Sequence, residues 1–178
     1  MITYYDYKIN IDSQKDYDEF VESVDLFKCK CPCCGHKGTF ILHGLYSRRV
    51  FFSSGQVELY VQRVRCTNCN STHSLFPSCI VPYQRMMVEH QVALLIEIED
   101  TGGINEIGEA LPYLEGDYLF SLYEKFHRKG WKQRLISMGL TLKSEIFELI
   151  RRSFDEFRVQ FLQIGTKRNG LAIANNIN

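Results

Sequence analysis

The sequence predicts an α+β chain: a small β ribbon gathered by four cysteines, then an all-α, helix-turn-helix-like bundle and a long C-terminal helix. Three observations predict it. Two C-x-x-C hooks, Cys31/Cys34 and Cys66/Cys69, stand 31 residues apart. The stretch between them is rich in β-branched and aromatic residues, and after Pro82 apolar residues recur at helical spacing. The implied organisation is an acidic N-terminal segment (1–27), the ribbon (28–85), a helix-turn-helix-like region (86–139), and a C-terminal amphipathic helix with a tail (140–178).

The 178 residues carry 45% hydrophobic and 24% charged side chains, which excludes a disordered or fibrous chain. The longest apolar run, Val92 to Ile98, is broken by Glu97, so no membrane span is expected. Met1 to Asp18 is aromatic and acidic, without the basic start and apolar stretch of a signal peptide; a cytoplasmic, reducing location is the expectation. There, seven cysteines point to metal more than to disulfides. Net charge is zero only as a sum of unlike blocks. Residues 1–27 hold 2 basic and 7 acidic side chains, 28–85 hold 8 and 1, 86–120 hold 0 and 8, and 121–178 hold 11 and 5. A polyanion would meet two basic surfaces, not the average.

In Cys31-Pro32-Cys33-Cys34-Gly35 and Cys66-Thr67-Asn68-Cys69-Asn70, cysteines at i and i+3 of a tight turn aim two sulfurs at one centre. The residue after the second cysteine often needs φ > 0, which Gly35 and Asn70 tolerate. Cys31, Cys34, Cys66 and Cys69 thus form a set suited to structural Zn2+, closed to substrate; an iron-sulfur cluster is the lesser alternative. Cys29 and Cys33 offer other ligand pairs, but only 31/34 matches the second hook and precedes a glycine, while Cys79 reads as a small buried hydrophobe.

Between the hooks, Thr39–Phe52 and Val57–Arg65 form a hairpin with Ser53-Ser54-Gly55-Gln56 as its turn. A two-residue loop at Ser54-Gly55 would place Tyr46 opposite Arg63, Arg48 opposite Val61 and Gly44 opposite Arg65. Tyr46, Arg48, Arg63 and Arg65 would then share one face, a surface for phosphates and a stacked base. The alternative is a solvated sheet face.

Helices are expected at Met87–Glu99, Ile104–Leu111 and Asp117–Lys129. A short helix, a turn and a longer basic helix have the layout of a helix-turn-helix, with Leu119, Leu122 and Phe126 inward and Ser121, Lys125, Arg128 and Lys129 outward toward nucleic acid. An ordinary bundle with a solvated basic face is the alternative. Residues 86–120, without Lys or Arg, must face away from phosphates or dock within the chain. Apolar residues from Leu142 to Ile164 predict a long amphipathic helix that packs on the bundle or pairs with a second copy as a homodimer, and Thr166–Asn178 reads as a loosely ordered tail.

The hooks, Arg63-Val64-Arg65-Cys66, and Ser71-Thr72-His73-Ser74-Leu75-Phe76-Pro77 followed by Val81-Pro82-Tyr83 resemble the N-terminal zinc ribbon of insertion-sequence transposases. They resemble more closely an uncharacterised bacterial family built on that ribbon. The resemblance covers about residues 28–85 and extends loosely to Ile164. It implies Cys31, Cys34, Cys66 and Cys69 as metal ligands and a following helix-turn-helix, the two together recognising an element's terminal DNA. Cys33 inside the first hook and Asn70 in place of glycine depart from the pattern, and no catalytic domain follows. Residues 86–164 read as helix after helix, without the alternating strands of a three-carboxylate nuclease. His36, His43, His73, His90 and His127 are scattered and read as surface or packing histidines. The expectation is a non-enzymatic, zinc-dependent DNA-binding protein, transposase-derived, an accessory of transposition or a remnant, without a small-molecule substrate. The alternative is a zinc-ribbon module for protein–protein interaction.

Overall fold

A computed structural model describes residues 1–5, 11–52, 55–102, 116–163 and 170–173. Its strands are β1 (Ile2–Tyr5), β2 (Phe40–Phe52), β3 (Gly55–Cys66), β4 (Thr72–Pro77) and β5 (Gly170–Ile173). Its helices are α1 (Gln14–Ser23), α2 (Val88–Thr101), α3 (Gly116–His127), α4 (Trp131–Ser137) and α5 (Ile146–Phe157). The strands form one sheet in the order β2-β3-β4-β1-β5, with β2, β3 and β4 antiparallel and β1 parallel to both β4 and β5. The α+β class holds. None of the described helices is long and apolar enough to cross a membrane.

The acidic segment 1–27 supplies β1 and α1, because its apolar residues Ile2, Ile11, Tyr17 and Phe20 bury themselves with the ribbon's Val50, Leu59, Val61 and Leu75. Ser13 caps α1 by accepting from the Asp16 N–H. β4 pairs with β3 only over Arg63–Arg65, so the rest of β3 exposes a backbone edge. Side chains of α1 satisfy it. The Gln14 amide accepts from Tyr60 N–H at 2.7 Å and donates to Tyr60 C=O at 3.3 Å. The Tyr17 hydroxyl accepts from Gln62 N–H at 3.0 Å and donates to Leu75 C=O at 2.8 Å.

The hairpin forms, but its register differs from the expected one. Tyr46 pairs with Val61, Arg48 with Leu59 and Phe52 with Gly55, so β3 starts at Gly55, inside the stretch expected to be the turn. Gly44 takes φ +88° in a bulge where His43 and Gly44 together oppose Arg63. Tyr46 therefore does not face Arg63, nor Gly44 Arg65. A two-residue slip keeps the faces, so Tyr46, Arg48, Arg63 and Arg65 still share one side of the sheet.

The second core belongs to the helices: Leu95, Ile98, Leu119, Leu122, Phe126, Trp131, Leu135, Leu149, Ile150 and Phe154 interdigitate. α2 ends at Thr101, two residues past the predicted Glu99, where Gly102 takes φ +80°. Leu119, Leu122 and Phe126 face inward as expected. Lys125 does not face outward: it is 1% exposed, and its Nζ donates to Gln84 Oε1 at 2.7 Å and Gln91 Oε1 at 3.4 Å. Lys125 stands three residues after Leu122 and one before Phe126, so helical periodicity places it in the apolar stripe whatever its charge. The expected helix Ile104–Leu111 lies outside the described residues, and α4 was not anticipated. The helix-turn-helix is therefore not established.

The long C-terminal helix is shorter than predicted. Leu142 sits in a turn before α5, and α5 stops where Arg158 takes φ +58° with its N–H on Phe154 C=O. Phe161 and Leu162 continue the apolar pattern from a loop, and Leu149, Ile150 and Phe154 are buried in the helical core. Part of the supposed tail, Gly170–Ile173, pairs with β1.

The two cores meet at the segment Ser78–Met87. The Arg48 guanidinium donates to Val81 C=O at 2.9 Å and to Gln84 C=O, while the Gln84 side chain takes Lys125 from the other side. Gln160 donates to Ser78 C=O at 2.6 Å and accepts from Thr3 Oγ1 at 3.3 Å.

Two of these buried polar contacts can be tested by stability. Tyr17→Phe leaves Gln62 N–H and Leu75 C=O unpaired and should cost about 1–3 kcal/mol, read as a lower urea midpoint at unchanged slope. Burial holds the Lys125 amine down at about 7, from an ordinary 10.5. The unfolded chain binds the extra proton between those values, so stability should rise with pH across about 7 to 10.5 relative to a Lys125→Met variant. Urea midpoints of both proteins across that window give the difference; parallel profiles would refute it.

Candidate metal centre

Each hook is a closed turn built the same way. In the first, Gly35 N–H donates to Cys31 C=O at 2.9 Å and Cys31 N–H to His36 C=O at 2.8 Å. In the second, Asn70 N–H donates to Cys66 C=O at 2.8 Å and Cys66 N–H to Ser71 C=O at 3.0 Å. Gly35 at φ +78° and Asn70 at φ +60° occupy the left-handed region that lets each chain double back, as their residue types predicted. Cys66 is also the last residue of β3 and pairs with Phe40, so the sheet delivers the second hook to the first. Cross-links tie the hooks together: Thr67 N–H donates to Thr39 C=O at 2.7 Å, and Asn68 Nδ2 lies 3.1 Å from His36 Nδ1.

The sulfurs of Cys31, Cys34, Cys66 and Cys69 all lie within 4.8 Å of one another. Cys31 to Cys69 and Cys34 to Cys66 are each 3.7 Å. Four thiolates about 2.3 Å from a central ion would be separated by about 3.8 Å along a tetrahedron's edge, so the four residues fit one metal ion. Cys29, buried with its thiol 3.6 Å from Asp25 C=O, and the exposed Cys33 stand outside the set, as does buried Cys79.

The surroundings bias the four thiols differently. Burial pushes the Cys31 thiol up to about 12, whereas hydrogen bonds from Ser71 draw Cys69 down to about 6. Thr39 Oγ1, 3.2 Å from Cys66 Sγ, favours the Cys66 thiolate as well. His73 lies with Nε2 3.4 Å from Cys31 Sγ, edge-on to Phe40, and burial holds its imidazole down at about 4, hence neutral at pH 7. With the proton on Nε2 it donates to the Cys31 thiolate, offsetting the burial that disfavours that charge. Reading His73 as a packing histidine missed this; the available signal was its alternation with the buried Leu75 on one face of β4.

The other predicted site residues divide into three groups. Tyr46, Arg63 and Arg65 lie on the expected face, and the Nε atoms of both arginines find no hydrogen-bond partner among the described residues. Arg48 is on that face but is half-buried, gripping the 81–84 turn with its guanidinium 5.1 Å above the Phe76 ring. Ser121 is exposed on α3, while Arg128 and Lys129 are exposed in the turn past its end at His127, two residues short of the predicted Lys129, with Arg128 paired to Glu124 at 2.9 Å; Lys125 is buried.

Residues 31–104 match a protein-family model described as a domain of unknown function (DUF6431), which spans both hooks, β2 to β4 and α2. No curated protein and no solved structure matches the chain.

Cys34→Ala should drop bound metal from about one ion per chain toward none, while Cys29→Ala and Cys33→Ala keep it, as measured by elemental analysis of reduced protein. Metal lost in Cys33→Ala and kept in Cys34→Ala would reassign the hook. Because four thiols must be deprotonated, retention against a chelator should also weaken as pH falls.

Proposed function

We propose that this chain is a non-enzymatic, zinc-dependent DNA-binding protein whose ribbon, related to those of transposases, contacts the nucleic acid. Zinc fits a closed four-thiolate set with no open coordination position, which suits it to holding the hooks together rather than to catalysis. The resemblance of the hooks and of Arg63-Val64-Arg65-Cys66 to transposase ribbons supports the ancestry.

One observation carries the DNA reading. In the helical half several cations are neutralised locally: Lys132 meets Glu99 at 2.8 Å, Arg151 meets Glu148 at 2.7 Å, Arg152 meets Glu156 at 2.6 Å and Lys143 meets Asp100 at 3.6 Å, whereas Lys129, Arg134 and Arg158 make no ion pair among the described residues. In the ribbon, Arg63 and Arg65 make no ion pair among the described residues, and the sole acid of residues 28–85, Glu58, stands opposite Arg49 in the hairpin register, on the other face of the sheet. Two unneutralised guanidinium groups, two residues apart on a metal-braced sheet, present charge at the spacing of neighbouring phosphates.

A protein partner is the second reading. It is favoured by the exposed Leu42, Leu45 and Tyr60 on the other side of the hairpin. Apolar contact there would be far less sensitive to salt than phosphate contact.

In fluorescence anisotropy with labelled DNA, affinity should fall steeply as salt rises. Arg63→Ala with Arg65→Ala should weaken binding on the order of tenfold and flatten the salt slope by about two phosphate equivalents, with metal content unchanged. Binding equal to the parent's would remove the ribbon face from the interface.

A further inference from the structure

A groove of about 790 Å3 opens on the Arg63/Arg65 side of the sheet, lined by Tyr46, Arg48, Thr72, Ser74, Phe76 and Tyr83 among others. Its volume suits a nucleotide-sized group. No aspartate or glutamate is among the described residues that line it. Phe76 lies buried beneath the groove, its ring covered by the Arg48 guanidinium 5.1 Å from its centre, which the carbonyls of Val81 and Gln84 fix in place. Thr72 and Ser74 pair with Arg65 and Arg63, so their hydroxyls lie beside the two guanidinium groups. Tyr83 stands at the mouth, 61% exposed and at φ +64°, a conformation that costs a bulky residue on the order of 1 kcal/mol or more. On its far side a second depression of about 320 Å3 is bordered by Arg48, Arg49 and Arg85.

Arg63 and Arg65 stand next to the lining residues Ser74 and Thr72 on the strand beside the groove, Arg48 lines it, and a strained, exposed tyrosine stands between the two depressions. Paired bases in a duplex have their faces stacked on one another and cannot offer them to Tyr46 or Tyr83. An unpaired base can, while its neighbouring phosphates reach the arginines on either side. We infer that the groove binds single-stranded nucleic acid, with an unpaired base stacked against Tyr46 and Tyr83 and the backbone running from Arg63 and Arg65 past Tyr83 toward Arg85. This deepens the DNA-binding proposal and rests on it. The preference for unpaired over paired strands comes from the aromatic residues and the attraction from the arginines.

The test compares a short fluorescein-labelled oligothymidylate with a blunt duplex of equal length, using the full metal-loaded chain at one salt concentration. The parent should bind the single strand on the order of tenfold more tightly than the duplex. Tyr83→Gly removes the ring at a backbone position glycine prefers, so it should fold at least as stably as the parent yet lose most of that preference, with duplex binding unchanged. Tyr46→Leu, which keeps the apolar bulk packed on the core, should lose part of it. Duplex bound as well as or better than single strand, or the preference intact in both variants, overturns this inference and leaves the DNA-binding proposal standing. No binding to either probe overturns both.

Discussion

Convergence of four sulfurs is the constraint on which the ribbon is built. Cys31 and Cys34 sit before β2, and Cys66 and Cys69 at the end of β3, so bringing all four thiols within 4.8 Å fixes where the hairpin begins and ends. A hairpin alone is marginal in water. Here its inner end is gathered at the thiols, its edge at Tyr60 and Gln62 is satisfied by α1, and its outer end is held where Phe51 N–H donates to Arg85 C=O at 2.6 Å. Each attachment uses a different chemistry, and they act together with the apolar cluster that Ile2, Ile11, Tyr17 and Phe20 form with Val50, Leu59, Val61 and Leu75. That cluster covers the Leu59–Val61 part of the face and leaves Arg63 and Arg65, further along the same strand, partly exposed.

The sequence made legible whatever local geometry dictates. A cysteine at i and i+3 followed by a residue tolerant of φ > 0 specifies a turn, and both hooks fold as Gly35 and Asn70 foretold. Apolar spacing likewise placed Leu119, Leu122 and Phe126 inward and stopped α2 near Gly102. What escaped was set by distant partners or by chemistry sorted ahead of period. Lys125 read as outward because lysines usually are, yet helical spacing had already placed it beside Leu122 and Phe126. The bulge at His43-Gly44 changes the register without leaving an alternation signal, since the side chains around it are largely exposed. Arg158, a non-glycine residue at φ +58°, ends α5 where no residue-type signal marks a stop, and β5 depends on β1, at the far end of the chain.

Charge distribution ties the two halves to different roles. The acidic block of residues 86–120 was expected to face away from phosphates or to dock within the chain. Glu99 and Asp100 dock, and their partners are the basic residues Lys132 and Lys143 of the helical half. Much of the helical charge is thus paired within the helical half. The N-terminal acids are likewise partly engaged close by, as Asp16 accepts from Ser13 and Asp25 lies 3.5 Å from Lys28. The net zero of the chain is therefore assembled locally in the helices and left uncompensated on one side of the ribbon, so charge on that face is a surface property that the average conceals.

The segment Ser78–Met87 carries the last step. It receives Arg48 on its backbone and Lys125 on the Gln84 side chain, so a ribbon cation and a helical cation are both spent on holding one turn in shape. That turn forces Tyr83 into the left-handed region and exposes its ring. Burying a lysine without a carboxylate and straining a tyrosine both work against stability, and a connecting loop needs neither. The two costs coincide at the one place where the helical core abuts the aromatic groove of the ribbon. Lys125 and Arg48 are structural residues whose effect is to aim Tyr83. The helices then serve the ribbon as the rigid backing that holds the turn against its strain, and a basic recognition helix is not required of them.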